Sequence, residues 1–296
     1  MLEKVVIPSS VEISPLKMDD PKRPEFSSWR SYTNFATSVL RKRRYIWDPE
    51  VRAFLDTLLA TVRDRDRILP EGTLLYRAQH GVNHKEDDDQ LVILAHKADR
   101  MTPQRGRAME GRANSKGIPV LYLATSLQTA ISEVRPWIGS EVSVAQFKIS
   151  RELKAIDLSV GHGESVLEHL TIANLLGEDA PDPELKEKVV WIDVDNAFSR
   201  PTSVSDDFAD YVPTQILAEL FCNNGYDALI YRSQFGQEGF NIALFDIKDA
   251  EIIGAAPYQV TAVDVEYKEM GNPWGLTNHN KTTSPENVKS ANQDFN

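Results

Sequence analysis

The chain has 296 residues, 41% of them hydrophobic, with a net charge of -11 and a single cysteine, Cys222. That length can bury a sizeable core, and it fits one large domain with an appendage or two small ones. The acidic balance argues against non-specific binding to nucleic acid or anionic lipid, and the lone cysteine excludes a disulfide framework or a cysteine-rich zinc site.

Residues 1–8 lack the basic then apolar pattern of a signal peptide, and no apolar run approaches the roughly 20 residues of a membrane span, so a cytoplasmic location is expected. Pro8, Pro15, Pro21 and Pro24 make an irregular leader. Two helices follow in residues 1–70, a helical appendage. Ser27 or Ser28 caps the first, which runs toward Arg44, and Asp48-Pro49 starts the second. In that second helix Val51, Phe54, Leu55, Leu58, Leu59 and Val62 recur at helical spacing and must pack on something. The basic run Arg41 to Arg44 reads as a solvated helix end rather than a nucleic-acid contact.

From Thr73 short β runs alternate with helices, which predicts an α+β (mixed α/β) core over residues 71–260. Strands are expected at Thr73 to Ala78, Val120 to Ala124, Val142 to Ile149, Ala155 to Leu158, Tyr226 to Tyr231 and Asn241 to Ile247. Helices are expected at Glu164 to Leu176, Pro183 to Val190 and Pro213 to Asn223, the last stopped by Gly225. Thr125 with Gln128 resembles a capping box for a helix that carries Glu133. Cys222, in an apolar helical pattern, is expected to be buried. Asp193-Val-Asp195 reads as a loop or strand end, and residues 261–296 form a polar tail expected to be partly disordered.

The chemistry concentrates on a few polar residues. A glutamate at a helix start beside a strand end, Glu133, can bind vicinal ribose hydroxyls and stabilise positive charge on a sugar carbon. Arg77 on a neighbouring strand can pair bidentately with a pyrophosphate, and Tyr122 offers a flat face to a heteroaromatic ring. Ser233 opens the loop between the last two strands. Arg112 and Asn114, in an arginine-bearing loop from Met101 to Lys116, are candidates for phosphate and ribose contacts. Such a set suits a dinucleotide whose glycosidic bond is to be broken. The six histidines show no ligand spacing, and no metal is expected.

The order Tyr-Arg (76–77), Gly-Arg-Ala-Asn (111–114), Leu-Tyr-Leu-Ala (121–124), Thr-Ala-Ile-Ser-Glu-Val-Arg-Pro (129–136), Thr-Gln-Ile-Leu-Ala-Glu (214–219), Gly-Tyr-Asp-Ala-Leu-Ile-Tyr-Arg-Ser (225–233) and Asn-Ile-Ala-Leu-Phe (241–245) resembles the RES domain, named for its arginine, glutamate and serine. The resemblance implies an ADP-ribosyltransferase-like core and places Arg77, Glu133 and Ser233 as the catalytic residues, with Tyr122, Arg112 and Asn114 around the substrate. It implies NAD+ as substrate rather than cofactor, broken down by hydrolysis or, with inorganic phosphate as co-substrate, by phosphorolysis. It further implies a toxin neutralised by an Xre-type helix-turn-helix antitoxin. Ala113 stands where many small toxins of the family carry Trp, which points to a longer subgroup whose N-terminal helices dock on the domain, contact a partner or form a homo-oligomer. Transfer of ADP-ribose to a protein or nucleic acid, and nucleotide binding without catalysis, stay open as alternatives.

Overall fold

The computed structural model describes residues 24–87, 90–199, 208–235, 239–265, 267 and 271. The leader before Pro24 and the polar tail beyond Gly271 lie outside them. Contacts divide the chain after Thr261, and the elements below all belong to the unit Met1–Thr261.

Helix α1 (Ser31–Arg41) starts two residues later than a cap at Ser28 would place it, and its N-cap, Arg30, makes no side-chain capping bond; Ser28 accepts from Arg30 N with its hydroxyl at 3.1 Å. Its N–H donates to Ser31 Oγ at 3.1 Å, and the Ser31 hydroxyl donates back to its carbonyl at 2.6 Å. Helix α2 (Pro49–Ala60) begins as expected, with the Asp48 carboxylate accepting from Val51 N at 3.0 Å. Its apolar stripe meets α1 through the stacked rings of Phe35 and Phe54, whose centroids are 4.7 Å apart.

The strands are β1 (Asp66–Leu69), β2 (Leu74–His80), β3 (Asn83–Asp87), β4 (Gln90–Leu94), β5 (Leu121–Ala124), β6 (Glu141–Ile149), β7 (Leu153–Asp157), β8 (Ala228–Arg232), β9 (Phe240–Leu244) and β10 (Ala250–Gln259). Eight of them form one sheet in the order β1-β7-β8-β9-β5-β2-β6-β10, while β3 and β4 form a separate hairpin. Only β7 and β8 pair in parallel; the other pairs are antiparallel, so the sheet is mixed and the α+β expectation holds.

Short helices α3 (Ala98–Met101) and α4 (Leu127–Glu133) flank the middle strands. After β7 come α5 (Val166–His169), α6 (Ile172–Leu176), α7 (Pro183–Ser199) and α8 (Val212–Asn223). One core cluster joins α1, α2, α7 and α8 to one side of the sheet through Phe35, Leu58, Val194, Phe198, Leu217 and Phe221. A second is built around Leu75, Leu121, Phe147 and Met101 of α3, and a third packs Ala130 of α4 against Ala124 and Val144.

Several expectations need correction. The cap of α4 is Ser126, whose hydroxyl accepts from Thr129 N at 3.0 Å, while Thr125 Oγ1 instead accepts from Phe240 N at 3.1 Å. The helix expected over Glu164 to Leu176 breaks at Leu170, which is extended; Thr171 then starts α6 with its own capping box to Asn174. Asp193 and Asp195 lie inside α7, not in a loop, because burial of both apolar and polar positions carries the helix on to Ser199. Cys222 is exposed: one residue beyond buried Phe221, it has rotated about 100° away from the sheet.

Asp195 is the hub of α7. Its side chain is fully buried; Oδ1 accepts from Arg65 Nη1 and Oδ2 from Gly161 N, each at 2.7 Å. Burial raises its carboxyl to about 6 against the lowering pull of Arg65 and Gly161. The Arg65 guanidinium also lies 4.2 Å from the ring centre of Trp191, whose indole donates to Thr61 at 3.1 Å. The end of α2, the approach to β1 and the loop after β7 are thereby tied to one helix.

Candidate active site

Strands β8, β9, β5 and β2 lie side by side, which brings Ser233, Asn241, Tyr122 and Arg77 onto neighbouring elements. The register sets the alignment: Asn241 is opposite Tyr231 on one side and Ala124 on the other, and Tyr76 is opposite Ala124 in turn. Helix α4 follows directly from β5 and packs against β2, β5 and β6.

Glu133 is the last residue of α4 rather than near its start. A carboxylate there faces the negative end of a helix, so its charge must be met by other donors. Two supply it. Ser233 Oγ and Asn241 Nδ2 both donate to Glu133 Oε1, each at 2.6 Å. Oε2 has no hydrogen-bond partner among the described residues. Ser233 itself accepts from Phe235 N at 3.1 Å, which fixes its proton toward Glu133. The chain leaves α4 through Arg135 at φ +48°, a left-handed conformation unusual outside glycine, and the Arg135 guanidinium sits 4.7 Å from the Phe235 ring centre. Gly239 passes so close to Thr129 of α4 that a Cβ at this position would collide with it.

Arg77 faces a cavity of about 540 Å³ lined also by Gln79, Arg100, Gln104, Arg107 and Tyr122. That volume suits a nucleotide-sized ligand. Its Nε and Nη1 are buried with no hydrogen-bond partner among the described residues. Burial lowers the guanidinium to about 10, so it stays charged at neutral pH. A buried, charged, unpaired fork of donors is costly by itself and is satisfied by an anion.

The remaining candidates are spent on architecture. Tyr122 lines the cavity, but its hydroxyl donates to Asn114 Oδ1 at 2.7 Å and accepts from Ala113 N at 3.0 Å, and burial holds it far above the usual phenol range. Asn114 is buried, and its amide nitrogen donates to the carbonyls of Met109, Ser115 and Ile118. Gly111 permits this, since a Cβ there would lie 2.7 Å from the Tyr122 hydroxyl. Arg112 donates to the carbonyl of Phe198 in α7. Of these three only Tyr122 lines the cavity, while Asn114 and Arg112 hold the loop behind it, which Gln215 of α8 braces by donating to the Gly111 and Asn114 carbonyls, each at 2.9 Å.

Glu133 and Ser233 therefore meet, and Arg77 and Tyr122 meet, while the lining of the cavity does not include Glu133. Buried Tyr231 is neighbour to both groups: after burial, Tyr122 and Glu133 each help to hold its hydroxyl far above the usual range. Asn241 was not singled out from the sequence, although it opens the quoted Asn-Ile-Ala-Leu-Phe run. An amide leading directly into the apolar run Ile242 to Phe245 is the available signal. Among the described residues no group of three or more His, Cys, Asp or Glu is arranged to hold a metal ion, and no helix is long and apolar enough to cross a membrane.

A search of curated proteins finds no match. Among solved structures, the crystal structure of the M. tuberculosis MbcT-MbcA toxin-antitoxin complex is similar at a TM-score of 0.39 and 14% identity, covering 68% of this chain and 92% of that one. The model of the RES domain matches residues 75–267, a span that holds Arg77, Glu133, Ser233 and Asn241 together. With that match over the greater part of its length, the chain belongs to the RES domain family.

Proposed function

We propose that this protein breaks the bond between nicotinamide and ribose in NAD+. The observation that carries the reading is the buried guanidinium of Arg77, unpartnered among the described residues, in a nucleotide-sized cavity, on strands next to a carboxylate whose second oxygen has no hydrogen-bond partner among them. Arg77 binds the pyrophosphate, and the Tyr122 ring lines the same pocket. Glu133 Oε2 accepts from a ribose hydroxyl and stabilises the oxocarbenium ion formed as the C–N bond breaks. The bonding pair leaves with the ring nitrogen, which is cationic in NAD+ and neutral in free nicotinamide. Water or inorganic phosphate then adds its oxygen to the sugar carbon and releases a proton to solvent. NAD+ is consumed as substrate, and no further cofactor takes part.

Membership of the RES family supports a cytoplasmic toxin whose action is blocked by an Xre-type antitoxin. Incubation of the purified protein with NAD+ tests the chemistry. Nicotinamide should appear together with free ADP-ribose or, when phosphate is the nucleophile, its 1-phosphate. Retention of ADP-ribose on a macromolecule would instead make the protein a transferase, and tight binding of intact NAD+ would make it a non-catalytic module.

A further inference from the structure

We infer that Asn241 is a positioning residue for Glu133: its amide and the Ser233 hydroxyl together clamp one carboxylate oxygen so that only the other is presented to ligand. The inference rests on the reading of Glu133 as the group that meets the ribose. Asn241 is 7% exposed, and its backbone is paired on both sides in the middle of the sheet. An aliphatic side chain would suit that position better, since a buried amide is unfavourable unless it is bonded.

The two donors are not equivalent. Ser233 reaches Glu133 from the loop after β8, and its direction depends on Phe235 N–H. Asn241 reaches the same oxygen from within β9, and its nitrogen can only donate. The amide carries no titratable proton, so this half of the clamp does not itself titrate. The strand provides a rigid post, and the loop completes it.

Exchange for a carboxyl separates positioning from simple packing. In Asn241→Asp the introduced group can donate to Oε1 only while it carries a proton. Once it ionises, two carboxylates confront each other and the clamp opens. Beside Glu133 it keeps its proton to a higher pH than when unfolded, so its stabilising contribution is full at acid pH and is lost as pH rises. NAD+ turnover by Asn241→Asp should therefore survive at acid pH and fall along a new descending limb that the wild type lacks. Asn241→Ala should lower kcat about a hundredfold with little change in KM and with no new limb.

The melting temperature of Asn241→Asp should fall over the same pH range relative to wild type, a readout that needs no turnover. Turnover and melting profiles parallel to wild type in Asn241→Asp, or an unchanged kcat in Asn241→Ala, would overturn the clamp. If the wild type leaves NAD+ intact, the proposed function fails, and the melting profiles still decide whether Asn241 holds Glu133.

Discussion

At the scale of single residues, Arg77 shows how a site can be set against stability. Its buried Nε and Nη1 find no acceptor among the described residues, so the guanidinium is left for an anion to satisfy. Arg77→Met should leave the melting temperature unchanged or raise it, while weakening NAD+ binding at least tenfold. Arg77→Lys should not restore binding, because a single ammonium cannot reproduce the two-pronged contact. Calorimetry and a binding titration on the same samples check both statements. Arg77, Glu133 and Ser233 were legible as candidates from residue type and order. Asn241 was not, because its partner lies 108 positions away and only the pairing of β8, β9 and β5 brings them together. The structural use of Arg112 and Asn114 was equally hidden, since loop arginines and asparagines look alike whether they face solvent, ligand or a carbonyl.

At the scale of elements, the loop closing β8 to β9 must fit beneath α4. Ser233 N donates to Gly239 O at 2.9 Å, which narrows the loop, and Gly239 then leaves no room for a side chain beside Thr129. Gly239→Ala should push α4 away from β9 at a cost of about 1–3 kcal/mol and disturb the Glu133 contacts further still. Turnover should therefore drop by more than the loss of folded protein explains, as thermal unfolding and kcat on one preparation would show. Elements with strong periodicity, such as α2 and β6, were readable from their apolar spacing. Strand β3 is wholly polar, and β10 carries Gly254 at a register shift and Pro257 at the sheet edge, so neither offers the alternation that marks a half-buried strand. From the sequence alone α7 ends at Val190, because a buried aspartate inside it makes sense only with Arg65 in place.

At the scale of the whole molecule, Arg65 joins the segment after α2 to α7 through Asp195 and to β7 through the Asp157 carbonyl. Removing Arg65 leaves a buried carboxyl beside Trp191 without its cation. Arg65→Met should destabilise the protein by roughly 3–5 kcal/mol when Asp195 is ionised. The Asp195 carboxyl is raised to about 6, so the native state holds its proton more tightly than the unfolded chain does. Its contribution to stability is full below the ordinary carboxylate range and fades as pH climbs through about 6. The gap in melting temperature between wild type and Arg65→Met should accordingly be wider at pH 8 than at pH 5; an equal gap at both would show that the pair's charge does not matter. Helices α1 and α2 were foreseen as elements, and their apolar stripe demanded a partner. That the partner is α8 and α7, in the same core as the sheet, depends on contacts between distant segments.

The proposal at stake is that Glu133, held by its clamp, cleaves NAD+ whose pyrophosphate is bound by Arg77. The direct measurement is NAD+ consumption by purified wild type and by Glu133→Gln, which keeps the shape and removes the charge. Wild type should release nicotinamide, and the variant should bind NAD+ but turn it over about a hundredfold to a thousandfold more slowly. Equal turnover by the two proteins, or NAD+ left intact by the wild type, would contradict the account.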